Sequence, residues 1–392
     1  MKKWLAASAA ALLLSGCAPA FEKQEQVVEE DENQQSETAI IPNYQISDEY
    51  YKTLLPYEST DTRGMVVNNL QSRYDIDIFE SGLVRMAKNV FPTDQYLFKE
   101  GQVLDKETIQ SWLNRKFTSE QLEEKGLTED QNVGLNPVEN TPGEEKDTPI
   151  YLAHMIEHNY LEKVEDSKIQ LASVVVGLAL NSVSYYQDQN TGETRQTDIS
   201  HEEVRQQGTR IAQEVISRLR GKPELDGIPI TIALYEQSSK GSVTPGNYFA
   251  YATVNAGNDT IGEWKNVNEE HYFFPSEQAE KAYPEDMKVF NDFREKVENY
   301  FPNYVGVVGY AFYQKDQMES LEIDIPIQFN GKAETIGFTQ FTAELAAELF
   351  PKGTSVEIEI TSADGVESLI VLKQQGEQIG RASCRERVST SV

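Results

Sequence analysis

Apolar and polar positions alternate most strictly near residue 321, where Leu321, Ile323, Ile325, Ile327 and Phe329 interleave with Glu322, Asp324 and Gln328. A period of two puts one set on each face of a strand, so this segment predicts a strand with one face buried and one solvated. A second strand is expected at about 304–313. The spacing of Phe338, Phe341, Leu345 and Leu349 before Pro351 then predicts a helix. Strands follow at Val356 to Ile360 and Leu369 to Leu372, joined through Asp364-Gly365, a hairpin signal.

A related order stands earlier in the chain. The run Ile169 to Tyr186 is dense in Val, Leu and Ala and reads mainly as strand. Ser200 with Glu203 has the spacing of a capping box, and Val204, Ile211, Ala212, Val215 and Leu219 share one helical face until Gly221 and Pro223 stop it. Ile228, Ile230, Ile232 and Leu234 alternate as a buried-face strand, with Tyr248 to Val254 as its neighbour. Strand, helix, strands occurs twice, which predicts an α+β fold: a mostly antiparallel sheet with packed helices and an internal duplication of a sheet-plus-helix unit. The units are expected at 151–300 and 301–378. An N-terminal α+β region at 41–150 precedes them, with helices near Ser81 to Val90 and Lys106 to Asn114, the latter entered through Asp105 and packing on the first unit.

Composition changes the picture at the ends and in one loop. From Ala18 to about Ile40 the chain is rich in Gln, Glu, Asp and Ser, densest at Glu29-Glu30-Asp31-Glu32, and reads as an acidic disordered tether spanning 17–40. Thr118 to Thr148 is acidic and punctuated by Asn136-Pro137 and Pro142-Gly143, which predicts a long loop and a domain boundary. After Gln378 the chain turns basic, and Ile379 to Val388 resembles translated adapter or vector read-through, so 379–392 is read as a foreign tail.

At the other end, Lys2 and Lys3 precede an apolar run from Trp4 to Leu14 that closes in Leu14-Ser15-Gly16-Cys17. A positive start, a short apolar body and small residues before the cut make residues 1–16 a secretory signal too short to span a membrane permanently. This order is a lipobox. Cys17 would form a thioether to diacylglycerol, with cleavage between Gly16 and Cys17. Two acyl chains anchor stably, since each buried methylene contributes about 0.8 kcal/mol. The expected location is therefore the outer face of the cell membrane, and the expected partners are that membrane and the enzymes that process lipoproteins. The formal charge of -29 over 392 residues argues against nucleic acid and anionic lipid surfaces. With Cys17 taken by lipid and Cys384 in the odd tail, no disulfide framework is available.

Two windows carry candidate chemistry. His154-Met155-Ile156-Glu157-His158 is an H-x-x-E-H, which on a helix would place His154 and His158 on one side to hold zinc while Glu157 activates water. The bland alternative is a packing helix built on Leu152, Ile156 and Leu161. The second window gathers Tyr248, Phe249, Tyr251, Trp264 and His271 to Phe274, aromatics that on loops could bind a sugar or peptide, with Tyr248, Tyr251 and Trp264 as candidates. They could equally fill a sheet–helix interface. His201 and His271 have no partners at recognisable spacing. There is no glycine-rich phosphate loop and no G-x-S-x-G, and nothing calls for a cofactor.

The lipobox leader, Gly134-Leu135-Asn136-Pro137, Pro149-Ile150-Tyr151-Leu152-Ala153-His154 leading to Tyr160-Leu161, and Val176-Gly177-Leu178-Ala179-Leu180-Asn181-Ser182-Val183 together resemble the CamS family of sex-pheromone lipoprotein precursors. The resemblance covers the mature chain to about residue 375. It implies an extracellular lipoprotein of Gram-positive bacteria with an α+β fold. It also implies a signal peptide whose apolar tail, here within Ala9 to Gly16, is released and trimmed to a short peptide pheromone. The mature part is then a non-enzymatic binding or interaction module with an unidentified protein or glycan partner. The alternatives are a zinc-dependent hydrolase at 154–158 and a solute- or glycan-binding lipoprotein using the aromatic span.

Overall fold

The computed structural model describes residues 36–41, 50–62, 70, 73–139, 148–165, 168–188, 191–300, 306–328, 331–363, 365–372 and 380–384. The leader with Leu14, Ser15, Gly16 and Cys17, and most of the expected tether, lie outside these residues.

In chain order the first part holds β1 (Ser36–Thr38), β2 (Lys52–Thr53), α1 (Arg73–Lys88), β3 (Tyr96–Glu100), α2 (Lys106–Leu113), α3 (Ser119–Lys125), β4 (Leu152–Glu165) and β5 (Lys168–Asn181). It continues with β6 (Val183–Gln187), β7 (Thr194–Asp198), α4 (His201–Arg220), α5 (Pro223–Asp226), β8 (Ile230–Gln237), β9 (Asn247–Val254) and β10 (Lys265–Asn266). Their main sheet runs β10-β9-β8-β5-β4-β3-β2, with β1 also pairing β5; β6 and β7 form a separate hairpin.

The second part holds β11 (Glu269–Phe274), α6 (Glu277–Ala282), α7 (Pro284–Glu298), β12 (Val308–Gln314), β13 (Gln317–Pro326), α8 (Lys332–Leu349), β14 (Ser355–Ser362), β15 (Gly365–Leu372) and β16 (Gly380–Cys384). They form one sheet, β11-β12-β13-β14-β15-β16.

The two sheets repeat one wiring. β3·β4 and β4·β5 are antiparallel, β5·β8 is parallel across the α4 crossover, and β8·β9 is antiparallel. In the second sheet β11·β12 and β12·β13 are antiparallel, β13·β14 is parallel across α8, and β14·β15 is antiparallel. Each first connection also carries two helices, α2 and α3 or α6 and α7. The repeat thus begins at Tyr96 and at Glu269, upstream of the strand–helix–strands core visible in the sequence, and residues 266 and 269 stand on different sheets.

Where the sheets differ is cover. The first is packed on one face by α2 and α4 through Ile109, Trp112, Val204, Ile211 and Val215, and on the other by α1 through Phe79, Leu83 and Met86. β5 and β8 are consequently buried on both faces, so Thr231, Ala233 and Tyr235 are as hidden as Ile230, Ile232 and Leu234, and the expected one-sided burial of β8 does not occur. The second sheet packs α7 and α8 against Ile323, Ile325, Ile358 and Ile360, while Glu322, Asp324 and Glu357 face outward. Here the alternation read from sequence holds.

Other sequence expectations change. Ser36–Thr38, placed in the tether, pairs antiparallel with Lys168 to Gln170. The segment expected to be a loop from 118 contains α3, entered by a capping box between Thr118 and Gln121, and it buries Leu122 and Leu135. Asn136, read as turn punctuation, is fully buried: its amide donates to the carbonyls of Leu113 (2.8 Å) and Leu152 (3.0 Å) and accepts from the backbone of Tyr151 (2.9 Å) and Leu152 (2.8 Å). This stretch fastens α2 to β4 and does not separate domains. Only half of the expected box at Ser200 forms. Its hydroxyl accepts from the Glu203 N–H (3.3 Å), but the Glu203 carboxylate takes the Tyr151 hydroxyl (2.5 Å). The backbone of Gly380–Cys384 pairs with β15.

Candidate binding cleft

Parallel strands β5 and β8 both end, at Asn181 and Gln237, below the first turn of α4. In crossover sheets the carboxyl ends of such strands are where chain segments diverge and leave a crevice. A cleft of about 920 Å³ opens here, lined by Ser182 and Val183 just past β5, the ends of β7 and β8, the first turns of α4, the 238–246 connection, the start of β9, and the 266–270 segment that joins the two sheets.

Its side chains are held in place. His201 Nδ1 lies 2.5 Å from Glu236 Oε2, and the His201 ring meets Phe249 edge-on at 4.9 Å. Arg205 donates to the Asn266 amide oxygen at 2.7 Å. Asn247 is bonded to His271 Nδ1 at 2.6 Å, and burial holds that imidazole's pKa down at about 3. Gln237 bonds Asn181, and the Ser182 hydroxyl donates to the Gln237 carbonyl at 2.7 Å. Behind the cleft, fully buried Asp75 of α1 accepts from the Tyr235 hydroxyl and the Gly246 N–H, both at 2.7 Å. Gly246 must lack a side chain, because a Cβ there would sit 1.8 Å from the Glu236 carbonyl oxygen.

The wall toward the second sheet is fixed by Glu269, which takes Arg85 of α1 through two hydrogen bonds at 2.9 and 3.2 Å while the guanidinium lies 4.6 Å from the Phe312 ring centre.

The sequence-derived candidates fall elsewhere. His154-Met155-Ile156-Glu157-His158 lies on strand β4, not on a helix. Residues four apart on a strand are about 13 Å apart with parallel side chains, whereas ligands of one zinc lie about 2 Å from it, so His154 and His158 cannot share an ion. Both imidazoles are buried on the α1 side, against Phe79 and Phe98, and burial lowers their pKa to about 4. Glu157 points to the opposite face and accepts N–H bonds from Leu104 (2.7 Å), Val103 (3.1 Å) and Gln102 (3.2 Å). Burial raises its pKa, opposed by those three bonds. The glutamate is a backbone clamp, and the zinc hydrolase reading fails on geometry. Among the described residues no group of three or more His, Cys, Asp or Glu is gathered as a metal site.

Tyr248 borders the cleft but its ring has no exposed surface. It stacks on Phe79, and its hydroxyl donates to the Phe79 carbonyl at 2.6 Å. Tyr251 is buried under Lys265, and Trp264 packs half-buried on the α4-side core. Tyr248 and Tyr251 are therefore packed in the interior, and Trp264 partly so, and none of the three is presented on a loop as an open binding surface. Sequence reasoning missed His201, Arg205 and Glu236. His201 and Glu236 are 35 residues apart, so no local spacing announces them; the one available signal was a strand end followed by a helix N-terminus.

Two sheets with the same crossover wiring, one bearing a polar cleft at the ends of its parallel pair, define a duplicated mixed α+β protein. The chain belongs to the CamS family, since the profile described as CamS sex pheromone cAM373 precursor matches residues 57–378. It is similar to the crystal structure of a sex pheromone precursor from Lactobacillus salivarius subsp. salivarius UCC118, with a TM-score of 0.79 and 28% identity over 90% of this chain and 99% of that one. It is also similar to the C-terminal domain of the sex pheromone staph-cAM373 precursor from Staphylococcus aureus, with a TM-score of 0.69 and 32% identity over 81% of this chain and 99% of that one. No curated protein sequence matches the chain at significance.

Proposed function

We propose that this is a lipid-anchored extracellular lipoprotein whose leader is the precursor of a short peptide pheromone and whose folded part is a non-enzymatic ligand-binding module. Family membership and the Leu14-Ser15-Gly16-Cys17 motif support the leader's role. Cys17 takes the diacylglyceryl group, the lipoprotein-processing enzymes cut before it, and the apolar segment within Ala9 to Gly16 is trimmed and released. Among the described residues no helix is long and apolar enough to cross a membrane, so in this reading attachment rests on the acyl chains.

The observation that carries the module is the cleft at the ends of β5 and β8, with its side chains fixed by one another before any ligand arrives. Such preorganisation lowers the ordering cost of binding.

Mass spectrometry of culture supernatant and membranes from cells making the full chain tests the leader. The expected outcome is a short peptide within Ala9 to Gly16 and a diacylglyceryl-modified Cys17, both lost in Cys17→Ala. A matured lipoprotein without any released peptide would overturn the precursor role, and an unmodified Cys17 would overturn the anchor.

A further inference from the structure

The cleft's chemistry narrows what it can hold. Its walls carry amide side chains at Gln196, Asn247 and Asn266, hydroxyls at Ser238 and Ser239, and the carboxylate of Glu236. An amide both donates and accepts, a hydroxyl does the same, and a carboxylate accepts only. That set matches a ligand rich in groups that themselves do both.

Charge removes one broad class. The lining includes Asp198, Glu236, Glu269 and Glu270 against Arg205 and the His201 imidazole, and Arg85 on Glu269 compensates one carboxylate. A phosphate or carboxylate ligand would meet excess negative charge. Size admits a ligand of several rings, since about 920 Å³ sits at the upper end of the roughly 300–1,000 Å³ range of small-molecule pockets.

We infer that the cleft binds a neutral saccharide bearing both hydroxyl and amide groups, with Glu236 and Asn247 accepting from ring hydroxyls and Arg205 and Asn266 meeting the amide. The inference rests on the reading of the cleft as a binding site. It assigns Glu236 a role beyond its contact with His201: that contact fixes the carboxylate's rotamer and leaves its remaining lone pairs for ligand hydroxyls.

The test uses the full chain carrying Cys17→Ala, so that no lipid is attached, in isothermal titration calorimetry with three probes: N,N′,N″-triacetylchitotriose (hereafter chitotriose), inorganic phosphate and trialanine. Chitotriose is expected to bind saturably. Glu236→Ala and Arg205→Ala should each weaken it by about ten-fold or more, the loss expected for a hydrogen bond to a charged group. Glu359→Ala, on the outer face of the second sheet, should leave it unchanged and controls for folding. Chitotriose binding that neither cleft variant alters, or equal weakening by Glu359→Ala, overturns the inference. Binding of trialanine or phosphate instead, lost in the cleft variants, overturns the saccharide assignment while preserving the cleft as a binding site. No binding by any probe overturns both.

Discussion

The two sheets share a wiring but not an environment. In the first, α1 lies across the face opposite α4, so every position of β5 from Val174 onward and nearly all of β8 is hidden. In the second, helices cover a single face, and the other presents Glu322 beside Glu357 and Asp324 beside Glu359 in register. The same topology therefore supports two kinds of strand. One reads as a continuous apolar run, the other as a strict alternation, and the difference comes from a single helix outside the repeat.

The sharpest way to break this comparison is to empty the interface that only the first sheet has. Phe79→Ala removes a ring packed on Tyr235 and Tyr248 and should cost about 3–5 kcal/mol in denaturant unfolding. Leu369→Ala, on the outer face of the second sheet, should cost less than about 1.5 kcal/mol. Similar losses would mean that the outer face of the second sheet is also covered.

A second test uses acid. Burial holds His154 and His158 at about 4, below the ordinary value of 6.5. The unfolded chain therefore takes up protons first as pH falls. The stability conferred by keeping these imidazoles neutral is fully present above pH 6.5 and is lost toward pH 4, by about 3 kcal/mol per imidazole. His158→Phe should flatten that slope while Glu357→Gln should not, measured as melting temperature against pH.

Asp75→Ala comes next. It leaves the Tyr235 hydroxyl and the Gly246 N–H without their acceptor, and should cost about 2–3 kcal/mol and raise amide exchange in the 238–246 segment. Unchanged exchange there would show that α1 does not hold the cleft's rim.

The smallest effect is a gain. Partial burial first, and the Glu357 carboxylate second, raise the pKa of Glu322. Glu357→Gln should relieve this cross-strand repulsion and stabilise by about 0.5 kcal/mol at neutral pH. A loss would imply that the outward carboxylates make favourable contacts.

The same contrast explains what the sequence could show. The alternation at 321–327 was legible because one face of β13 meets solvent, and α4 and α8 were legible because each presents one apolar stripe. The duplication was visible in element order, although its true start at Tyr96 was not, since β3 is short and polar at Lys99 and Glu100. β4 was misread because Leu152, Ala153, Met155 and Glu157 favour helix locally, and a four-residue histidine spacing fits one face of either element. Pairing with β3 and β5 overrides that propensity. Of the cleft, only a strand end followed by a helix N-terminus was legible. The cleft's residues come together only when the α4 crossover returns β8 beside β5, which no local pattern encodes.

The pairing of β1 with the start of β5 keeps two places on the molecule apart. β1 joins the body at Lys168 to Gln170, and the cleft opens beyond Asn181, about 40 Å away along the same strand. Under the proposed anchor at Cys17, the pairing of β1 and the entry of ligand would fall at opposite ends of β5, so that a ligand could enter the cleft without displacing β1.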